Sequence, residues 1–299
     1  MTNHFLDFAD IPAATLRAIL DDAHRQKKEK RNPRQVLEGL SLAMMFDKRS
    51  TRTRISFEVA MKQLGGHTIV MDMQNMQITG SESPEDTAKV LSRFVDAIMI
   101  RCSDQDILHE LAKYATIPII NGMTDKSHPC QIMADLMTIE EKLGDVKGKK
   151  IAWFGDYNNV SRTFVQASKK FGFDFMAALP PQLHLKADMG TLVTDAPKLA
   201  AKDADVLVTD TWVSMGQEGK SIDMFRPYQV TKELMALAKP HAVFMHCMPV
   251  HKDEEVSEEV LRGPANVMYD EAENRLHIQK AILAWCLSDA GVKVSRSAQ

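Results

Sequence analysis

Short apolar runs alternate with segments of helical spacing along the whole chain. Runs of strand length lie at residues 42–46, 68–71, 97–100, 117–120, 151–154, 173–178, 206–208 and 242–245. Strand-length runs separated by helical segments are typical of βαβ units, in which a crossover helix joins two parallel strands. The pattern therefore predicts an α/β protein whose mostly parallel sheets are covered on both faces by helices.

The segments between these runs have the spacing of amphipathic helices. In residues 53–64, apolar side chains recur at i, i+3, i+4 and i+7 from Phe57 to Leu64, and Gly65 follows as a stop signal. Further helices are predicted at residues 131–143, 160–171, 231–239 and 272–287.

A polar, glycine-punctuated stretch at residues 144–150 separates two such sets of strands and helices. The chain has 299 residues, which is about twice the usual length of a single domain. We therefore expect two doubly wound α/β domains, with the change between them near residue 145.

Composition and charge argue against several classes of protein. Hydrophobic residues make up 44% and charged residues 26% of the chain, as in a globular protein with a sizeable core. The 37 Lys and Arg residues against 40 Asp and Glu residues give a net charge of −3, which disfavours a nucleic-acid partner. No apolar run approaches the roughly 18 residues that span a bilayer, so we expect no membrane association.

The N-terminal sequence and the cysteines indicate in which cellular compartment the protein is expected. The N-terminus lacks a basic segment followed by an apolar one, so it does not read as a secretory signal, and we expect a cytoplasmic protein. The cysteines are far apart and form no Cys-x-x-Cys pair, which disfavours both a disulfide framework and a zinc knuckle. They are Cys102, Cys130, Cys247 and Cys286.

Polar residues follow several of the predicted strands, where ligands bind in open parallel sheets. Residues 47–54, DKRSTRTR, follow the first run and open the helix predicted at 53–64. Backbone N–H groups, hydroxyls and guanidinium groups in that arrangement suit a phosphate. A helix cap followed by solvated basic residues is the alternative. Arg101 follows the run at 97–100, either as a ligand at the strand end or as a surface arginine.

Three further residues are candidates for chemistry. His128 precedes Pro129 and suits donation of a proton or a hydrogen bond to a carbonyl, although His before Pro is also a common cap or turn residue. Asp210 ends a predicted strand and suits an ammonium group, although Asp is also a common turn former. Cys247 follows the run at 242–245, either beside a reacting nitrogen or as a small buried hydrophobe.

Four motifs, taken in order, resemble those of the aspartate/ornithine carbamoyltransferase family. STRTR at residues 50–54 resembles the family's carbamoyl phosphate loop, and HPCQ at 128–131 resembles its HPxQ element. DTWVSMG at 210–216 and HCMP at 246–249 resemble the DxxxSMG and HCLP elements of the members that use ornithine. The resemblance covers the chain from about residue 5 to residue 288.

The resemblance implies the fold and the ligands of each domain. Residues 1–145 are expected to bind carbamoyl phosphate, with a C-terminal helix at 272–299 packing back on them, and residues 146–271 to bind ornithine. The active site is expected in the cleft between the two domains. Carbamoyl phosphate is expected to contact Ser50, Thr51, Arg52, Thr53, Gln77, Arg101, His128, Gln131, Cys247, Met248 and Arg275. Ornithine is expected to contact Asn159, Asp210, Ser214 and Met215.

The resemblance also implies a reaction and an assembly. The reaction transfers the carbamoyl group of carbamoyl phosphate to the δ-amine of L-ornithine, giving L-citrulline and phosphate in arginine metabolism, with no metal or organic cofactor. Arg101, His128 and Cys247 are the expected catalytic residues. Gln77 matches a loop that a neighbouring subunit contributes, which implies a homotrimer with shared active sites.

Several alternatives stay open at this point. Either Asp210 or Cys247 is the group that takes the proton of the amine, and the direction of the pathway is not written in the motifs. Aspartate, putrescine and an acylated ornithine are the rival acceptors, and a non-catalytic homologue is a rival of another class. A nicotinamide oxidoreductase lacks support because GDYNN at residues 155–159 is not a GxGxxG fingerprint. Two residues depart from the family pattern, Tyr157 before the Asn pair and Met248 after the cysteine.

Overall fold

The computed structural model describes residues 2–29, 35–76, 78, 82–188, 190–213 and 221–297, with side chains in the last helix up to residue 288. The chain divides into two compact units. Unit 1 comprises Met1–Met133 and Arg275–Gln299, and unit 2 comprises Ala134–Asn274. Gln77, Ser214 and Met215 lie outside the described residues.

Unit 1 is built on a parallel sheet with the strand order β2-β1-β3-β4. The strands are β1 (Ser41–Phe46), β2 (His67–Asp72), β3 (Ala97–Arg101) and β4 (Ile119–Met123). The helices that precede or follow them are α1 (Ala13–Lys28), α2 (Arg52–Gln63), α3 (Pro84–Leu91) and α4 (Gln105–Tyr114). The next helix, α5 (Pro129–Leu143), runs across the division between the units.

Unit 2 is built on a second parallel sheet with the strand order β7-β6-β5-β8-β9. The strands are β5 (Lys150–Phe154), β6 (Asp174–Ala178), β7 (Leu192–Thr194), β8 (Val206–Thr209) and β9 (Val243–His246). The helices are α6 (Asn159–Phe171), α7 (Pro197–Ala201), α8 (Lys232–Met235), α9 (Glu258–Arg262) and α10 (Met268–Ser297), of which the last returns to unit 1 at Arg275.

The central strands are buried on both faces, which explains their continuous apolar runs. The side chains of β1 from Leu42 to Met45 are fully buried, as are those of β5 from Ile151 to Phe154. In contrast, the edge strand β2 has no fully buried residue, and Ile69 is half-exposed. Helices on both faces of a parallel sheet leave only its edges in contact with water. The predicted fold class, two α/β domains with parallel sheets, is confirmed.

Several predicted elements differ in extent from those in the structure. The helix predicted at 272–287 runs from Met268 to Ser297. β4 begins at Ile119 rather than residue 117, because Pro118 has no N–H group to donate to the sheet. The helix predicted at 231–239 ends at Met235, and Pro240 follows within the same apolar stretch. The short edge strand β7 was not predicted, because three residues carry too little periodicity.

The described helices and cysteines concern two classes of protein discussed above, those that cross a membrane and those that contain disulfides. Within the described part of the chain, no helix has both the length and the apolar character that crossing a membrane demands. All four cysteines are free thiols.

Candidate active site

The strand order of each sheet reverses beside its first strand. In unit 1, β2 lies on one side of β1 and β3 on the other; in unit 2, β6 lies on one side of β5 and β8 on the other. The loops that leave the carboxyl ends of such strands diverge and open a crevice, which is where open α/β sheets bind ligands. The polar residues that follow β1, β3, β5 and β8 are therefore the first candidates for a site.

The hydroxyl of Thr53 lies at the centre of a buried polar cluster in unit 1. Thr53 is fully buried in the first turn of α2, and Arg101 is the last residue of β3. Thr53 Oγ1 accepts a hydrogen bond of 3.0 Å from Arg101 Nη1 and one of 2.9 Å from Arg275 Nη2. A hydroxyl offers two acceptor lone pairs and one proton. Because both lone pairs are occupied, Thr53 can serve a ligand only as a donor.

Arg275 brings a second guanidinium group into this cluster. Its Nη1 donates a 2.8 Å hydrogen bond to Oε1 of Gln131, and the two side chains are 4% and 1% exposed. Two arginine side chains thus converge on one buried hydroxyl, although like charges repel each other most where solvent is excluded. Such a convergence is typical of a site for a phosphate or another multivalent anion, which offsets that repulsion.

The start of α2 adds backbone donors to the arginine cluster. Ser50 and Thr51 precede the helix and Arg52 is its first residue, and first-turn N–H groups lack acceptors within a helix and carry partial positive charge. In the described structure Thr51 makes no side-chain capping hydrogen bond, which weakens the alternative of a simple helix cap. The neighbouring Arg54 instead forms an exposed 2.9 Å ion pair with Glu58.

His128 is the buried histidine of the same cluster. Burial, and then the positive charges of Arg275 and Arg101, lower the pKa of His128 well below its usual range. The imidazole is therefore neutral at pH 7 and offers a hydrogen bond rather than a proton. Of the two roles left open by the sequence, the electrostatics favour hydrogen-bond donation to a carbonyl oxygen.

Asp210 is the central carboxylate of unit 2. It directly follows β8 and lies at the carboxyl end of the sheet beside β5. Its Oδ2 accepts a 2.7 Å hydrogen bond from Asn158 Nδ2, and its Oδ1 accepts from Cys247 Sγ at 3.2 Å and from the backbone N–H of Thr211 at 2.8 Å. The loops after β5, β8 and β9 therefore meet at this one carboxylate, which is a suitable partner for a cationic amine.

The thiol of Cys247 is protonated in this arrangement. Burial, followed by the negative charges of Asp210, Glu271 and Asp135, raises the pKa of Cys247 well above its usual range. The thiol thus donates to Asp210 and is not a thiolate nucleophile. A group that already holds its proton at neutral pH also cannot accept one from an amine.

The backbone around Cys247 is held by a buried histidine and two glutamates. His246 Nδ1 accepts a 2.9 Å hydrogen bond from the backbone N–H of Met248, so Nε2 must carry the ring proton that it shares with Glu255 Oε1 at 3.1 Å. The backbone N–H of His246 donates to Glu271 Oε2 at 2.9 Å. Met248 has a φ of +57° and precedes a cis Met248–Pro249 bond.

A glycine shapes the turn after β5. Gly155 has a φ of +112°, and a Cβ at this position would lie 2.5 Å from Nε1 of Trp212. Only glycine accommodates both the backbone angle and this contact. The turn then leads to Asn158, whose Oδ1 caps α6 by accepting from the backbone N–H groups of Val160 and Ser161.

The structure brings the described residues predicted for carbamoyl phosphate and ornithine into two clusters, one in each unit. Thr53, Arg101, His128, Gln131 and Arg275 come together in unit 1, with Ser50, Thr51 and Arg52 at the adjoining helix start. Asp210, Cys247 and Met248 follow β8 and β9 in unit 2, and Asn159 is the first residue of α6. Nothing is described for Gln77, Ser214 and Met215.

Sequence reasoning missed the residues that hold these side chains in place. Asn158 both caps α6 and donates to Asp210, and its signal was an Asn directly before a helical segment. Glu255 and Glu271 support His246 from 9 and 25 residues away, and no local pattern in the sequence marks them.

Two groups of potential metal ligands occur among the described residues. Asp210, His246 and Cys247 form one group, and His251, Glu254 and Glu255 form the other. In the first group both ring nitrogens of His246 are engaged by Met248 and Glu255, and Cys247 is protonated. We therefore interpret the first group as a hydrogen-bond network that orders the loop after β9.

The two clusters define a two-domain α/β protein with two arginine side chains converging in one unit and a hydrogen-bonded carboxylate in the other. In comparison with family models, residues 3–141 match the aspartate/ornithine carbamoyltransferase carbamoyl-P binding domain, and residues 147–286 match the Asp/Orn binding domain. The chain belongs to the aspartate/ornithine carbamoyltransferase family.

Relatives with a similar sequence or structure cover nearly the whole chain. The ornithine carbamoyltransferase of Mesorhizobium japonicum is 54% identical over 95% of this chain and 98% of its own, and that of Brucella abortus is 51% identical over 97% of both. The structure of ornithine carbamoyltransferase from Pyrococcus furiosus is 45% identical, covers 95% of this chain and 96% of its own, and superposes with a TM-score of 0.89.

Proposed function

We propose that the protein transfers the carbamoyl group of carbamoyl phosphate to the δ-amine of L-ornithine, giving L-citrulline and phosphate. The observation that carries the choice of acceptor is the Asp210 carboxylate, which is fixed by Asn158 and Cys247 and suits an ammonium group. Residues 1–145 with the helix 272–299 bind carbamoyl phosphate in this proposal, and residues 146–271 bind ornithine.

Carbamoyl phosphate is held by the arginine cluster of unit 1. The phosphate oxygens accept from the backbone at the start of α2, from the hydroxyls of Ser50 and Thr51, and from Arg52. The carbamoyl oxygen accepts from Arg101, from the neutral ring of His128 and from the O–H of Thr53. The proton of Thr53 is free for this bond because the two arginines occupy only its acceptor lone pairs. Arg275 and Gln131 complete the binding set with Met248, and with Gln77 of a neighbouring subunit.

Ornithine is held by the carboxylate cluster of unit 2. Its α-amino end is bound by Asp210 with Asn159, Ser214 and Met215, and its δ-amine lies against Cys247. Because the Cys247 thiol already carries its proton, it orients the attacking nitrogen as a hydrogen-bonding group and is not the base. Of Asp210 and Cys247, Asp210 is therefore the group that also faces the charge of the δ-ammonium, since its Oδ1 lies 3.2 Å from Cys247 Sγ.

The reaction forms one bond and breaks one. The neutral δ-nitrogen attacks the carbonyl carbon, and negative charge develops on the carbamoyl oxygen, where Arg101, His128 and Thr53 donate. The bond from carbon to the phosphate oxygen then breaks, and Arg52 stabilises the departing phosphate. The ornithine ammonium loses two protons in total, one of which ends on the phosphate and one in solvent.

A citrulline assay tests the proposal. The purified protein receives carbamoyl phosphate with L-ornithine, and in parallel with putrescine, aspartate or N-acetylornithine. We expect citrulline from ornithine and negligible product from the other three acceptors. Product only from another amine would retain the carbamoyl phosphate site and reject the assignment of Asp210. No product from any acceptor would favour a non-catalytic homologue.

A variant pair locates the acceptor site. Asp210→Asn should abolish citrulline formation while calorimetry still detects carbamoyl phosphate binding, because only the amine loses its charged partner. Asp223→Asn is the matched control, since Asp223 lies in unit 2 on an exposed turn with Ser221 and Arg226. Equal activity of the two variants would contradict the role of Asp210.

The proposal includes assembly into a homotrimer whose subunits share active sites. Unit 1 presents apolar side chains to solvent on several elements, including Ile55 on α2, Ile69 on the edge strand β2 and Phe94, which is 74% exposed. A contiguous apolar patch is typical of a surface that pairs with another chain, and we infer that these side chains contribute to one. Light scattering after size-exclusion chromatography should give three times the mass of the chain, and a monomer would reject the shared site.

We place the enzyme in the cytoplasm and in arginine biosynthesis. The four free thiols suit a reducing compartment. Expression of the gene in a cell that lacks ornithine carbamoylation should restore growth without arginine, and fractionation should recover the protein with the cytoplasm. Growth that still requires arginine would reject the biosynthetic direction.

A further inference from the structure

Tyr157 forms a polar network beside the ornithine-binding residues. It lies in the turn between β5 and α6, next to Asn158, and is only 4% exposed. Its hydroxyl donates to Asp188 Oδ2 at 3.0 Å and accepts from the backbone N–H of Asp188 at 3.0 Å. Thr191 Oγ1 lies 3.4 Å from the same hydroxyl. The phenol therefore makes a reciprocal pair of hydrogen bonds with one residue 31 positions away.

Arg162 also belongs to this network, through the Tyr157 ring and Asp188. Its guanidinium carbon lies 5.3 Å from the centre of the Tyr157 ring, a cation–π distance, and its Nη1 lies 3.9 Å from Asp188 Oδ1. The backbone N–H of Arg162 bonds to the carbonyl of Asn158, as the helix requires. Tyr157, Arg162 and Asp188 thus join the turn after β5, the first turns of α6 and the segment before β7.

The network ends on the side chain that fixes Asp210. Asn158 follows Tyr157 directly, caps α6 with its Oδ1, and donates to Asp210 with its Nδ2. Both ends of the Asn158 amide are therefore used at once, and a small change in the angle of the turn would lengthen one of these bonds. The two hydrogen bonds between Tyr157 and Asp188 restrain this turn.

We propose that Tyr157 is a positioning residue for ornithine: its bond to Asp188 sets the turn that aims Asn158 at Asp210. The inference rests on the proposed function and adds a residue that departs from the family pattern at this position. Tyr157 touches neither substrate. It acts through Asn158, so its loss affects the acceptor half of the reaction and leaves the carbamoyl phosphate half unchanged.

The test compares two buried tyrosines of unit 2. Tyr157→Phe removes only the hydroxyl, which makes two hydrogen bonds with Asp188. Tyr228→Phe is the control, because Tyr228 is also 4% exposed and its hydroxyl donates a hydrogen bond of 3.2 Å to the carbonyl of Asp195. The loss of one hydrogen bond corresponds to about a fivefold change in a binding constant. We expect about a fivefold increase in KM for ornithine in Tyr157→Phe, with KM for carbamoyl phosphate and kcat within about twofold of wild type. Tyr228→Phe should leave all three constants unchanged.

A double variant and hydrogen exchange test the route through Asp188. The amide of Asp188 loses its acceptor in Tyr157→Phe, so its hydrogen exchange should become faster in that variant and not in Tyr228→Phe. Asp188→Ala should raise KM for ornithine as well, and the double variant Tyr157→Phe/Asp188→Ala should be no worse than the worse single variant.

The outcomes separate this inference from the proposed function. A wild-type protein that makes no citrulline from ornithine rejects the proposed function, and the inference falls with it. A wild-type protein that makes citrulline, together with an unchanged KM for ornithine in Tyr157→Phe, rejects the inference alone. Equal increases in KM for both substrates, or the same changes in Tyr157→Phe and Tyr228→Phe, would show a general structural role and also reject it.

Discussion

At the scale of single residues, the structure assigns proton positions that residue types alone leave open. Thr53 is saturated as an acceptor by two arginines, Cys247 keeps its proton beside a carboxylate, and His128 is neutral between two guanidinium groups. In each case, burial and charged neighbours decide which partner donates. These assignments therefore state which group donates and which group accepts in these hydrogen bonds.

Substitution of Thr53 tests its role as a hydrogen-bond donor directly. In Thr53→Val the hydroxyl is lost with little change in shape, so Arg101 and Arg275 lose their common acceptor and the carbamoyl oxygen loses a donor. We expect kcat to fall at least 100-fold, about the effect of removing one oxyanion-hole donor. Thr53→Ser keeps the hydroxyl and is the control, with expected activity within about tenfold of wild type. Steady-state rates that are similar in the two variants would contradict the donor role.

The protonated state of Cys247 gives a second test. Cys247→Ser retains a donor to Asp210 and Cys247→Ala does not, so we expect KM for ornithine to increase about fivefold more in the alanine variant. The Kd of carbamoyl phosphate, measured by calorimetry, should change less than KM for ornithine in both variants. Because the pKa of Cys247 is raised, alkylation of this thiol by iodoacetamide at pH 8 should be slower than that of a free cysteine. Rapid alkylation would indicate a thiolate.

At the scale of elements, α2 presents its two arginines differently. Arg52 is the first residue of the helix and half-buried at its start, whereas Arg54 forms an exposed ion pair with Glu58 one turn further along. Arg52→Gln should therefore nearly abolish turnover and weaken carbamoyl phosphate binding, while Arg54→Gln should have little effect, as expected for an exposed ion pair. Calorimetric affinities that fall equally in both variants would mean that the charge of the helix matters rather than the position of Arg52.

Several of the elements could be predicted from a long pattern, although α1, with 16 residues, was not. β1, β5, α2 and α6 lie within two residues of their predicted bounds, because buried strands are continuous apolar runs and amphipathic helices repeat every three to four residues. α7, with five residues, was not predicted because it is too short to show a period. The candidate site could be predicted in part, through motifs that lie at strand ends.

The rest of the site depends on the order of the strands in each sheet, which no short segment of the sequence determines. No sequence pattern shows that β3 lies beside β1 rather than beside β2, yet this order places Arg101 opposite Phe46 and within reach of Thr53. In the same way, Asn158 meets Asp210 across 52 positions and only because β5 neighbours β8. Long-range packing sets these contacts.

At the scale of the whole molecule, the stability of unit 2 should depend on pH through the buried Asp205. It joins the start of β5 to the segment before β9 by accepting from the backbone N–H of Lys150, from Lys239 Nζ at 2.8 Å and from His241 Nε2 at 3.1 Å. Burial opposes its charge, but these hydrogen bonds outweigh burial, and the pKa of Asp205 is below its ordinary value of 3.8. A carboxyl group with a lower pKa in the folded state takes up a proton on unfolding when the pH falls below the unfolded value.

The stabilisation by Asp205 should therefore be complete above about pH 4 and decline as the pH falls through the folded pKa. Asp205→Asn should lower the free energy of unfolding by about 1–3 kcal/mol at pH 7, because a buried charge-assisted network loses its charge, and this difference from wild type should shrink below pH 4. Asp223→Asn, at an exposed carboxylate, is the control and should change little. Urea unfolding of the three proteins at pH 7 and pH 3 measures both effects. A difference that is the same at the two pH values would mean that the shape of the Asp205 side chain, rather than its charge, holds the start of β5 and the segment before β9 together.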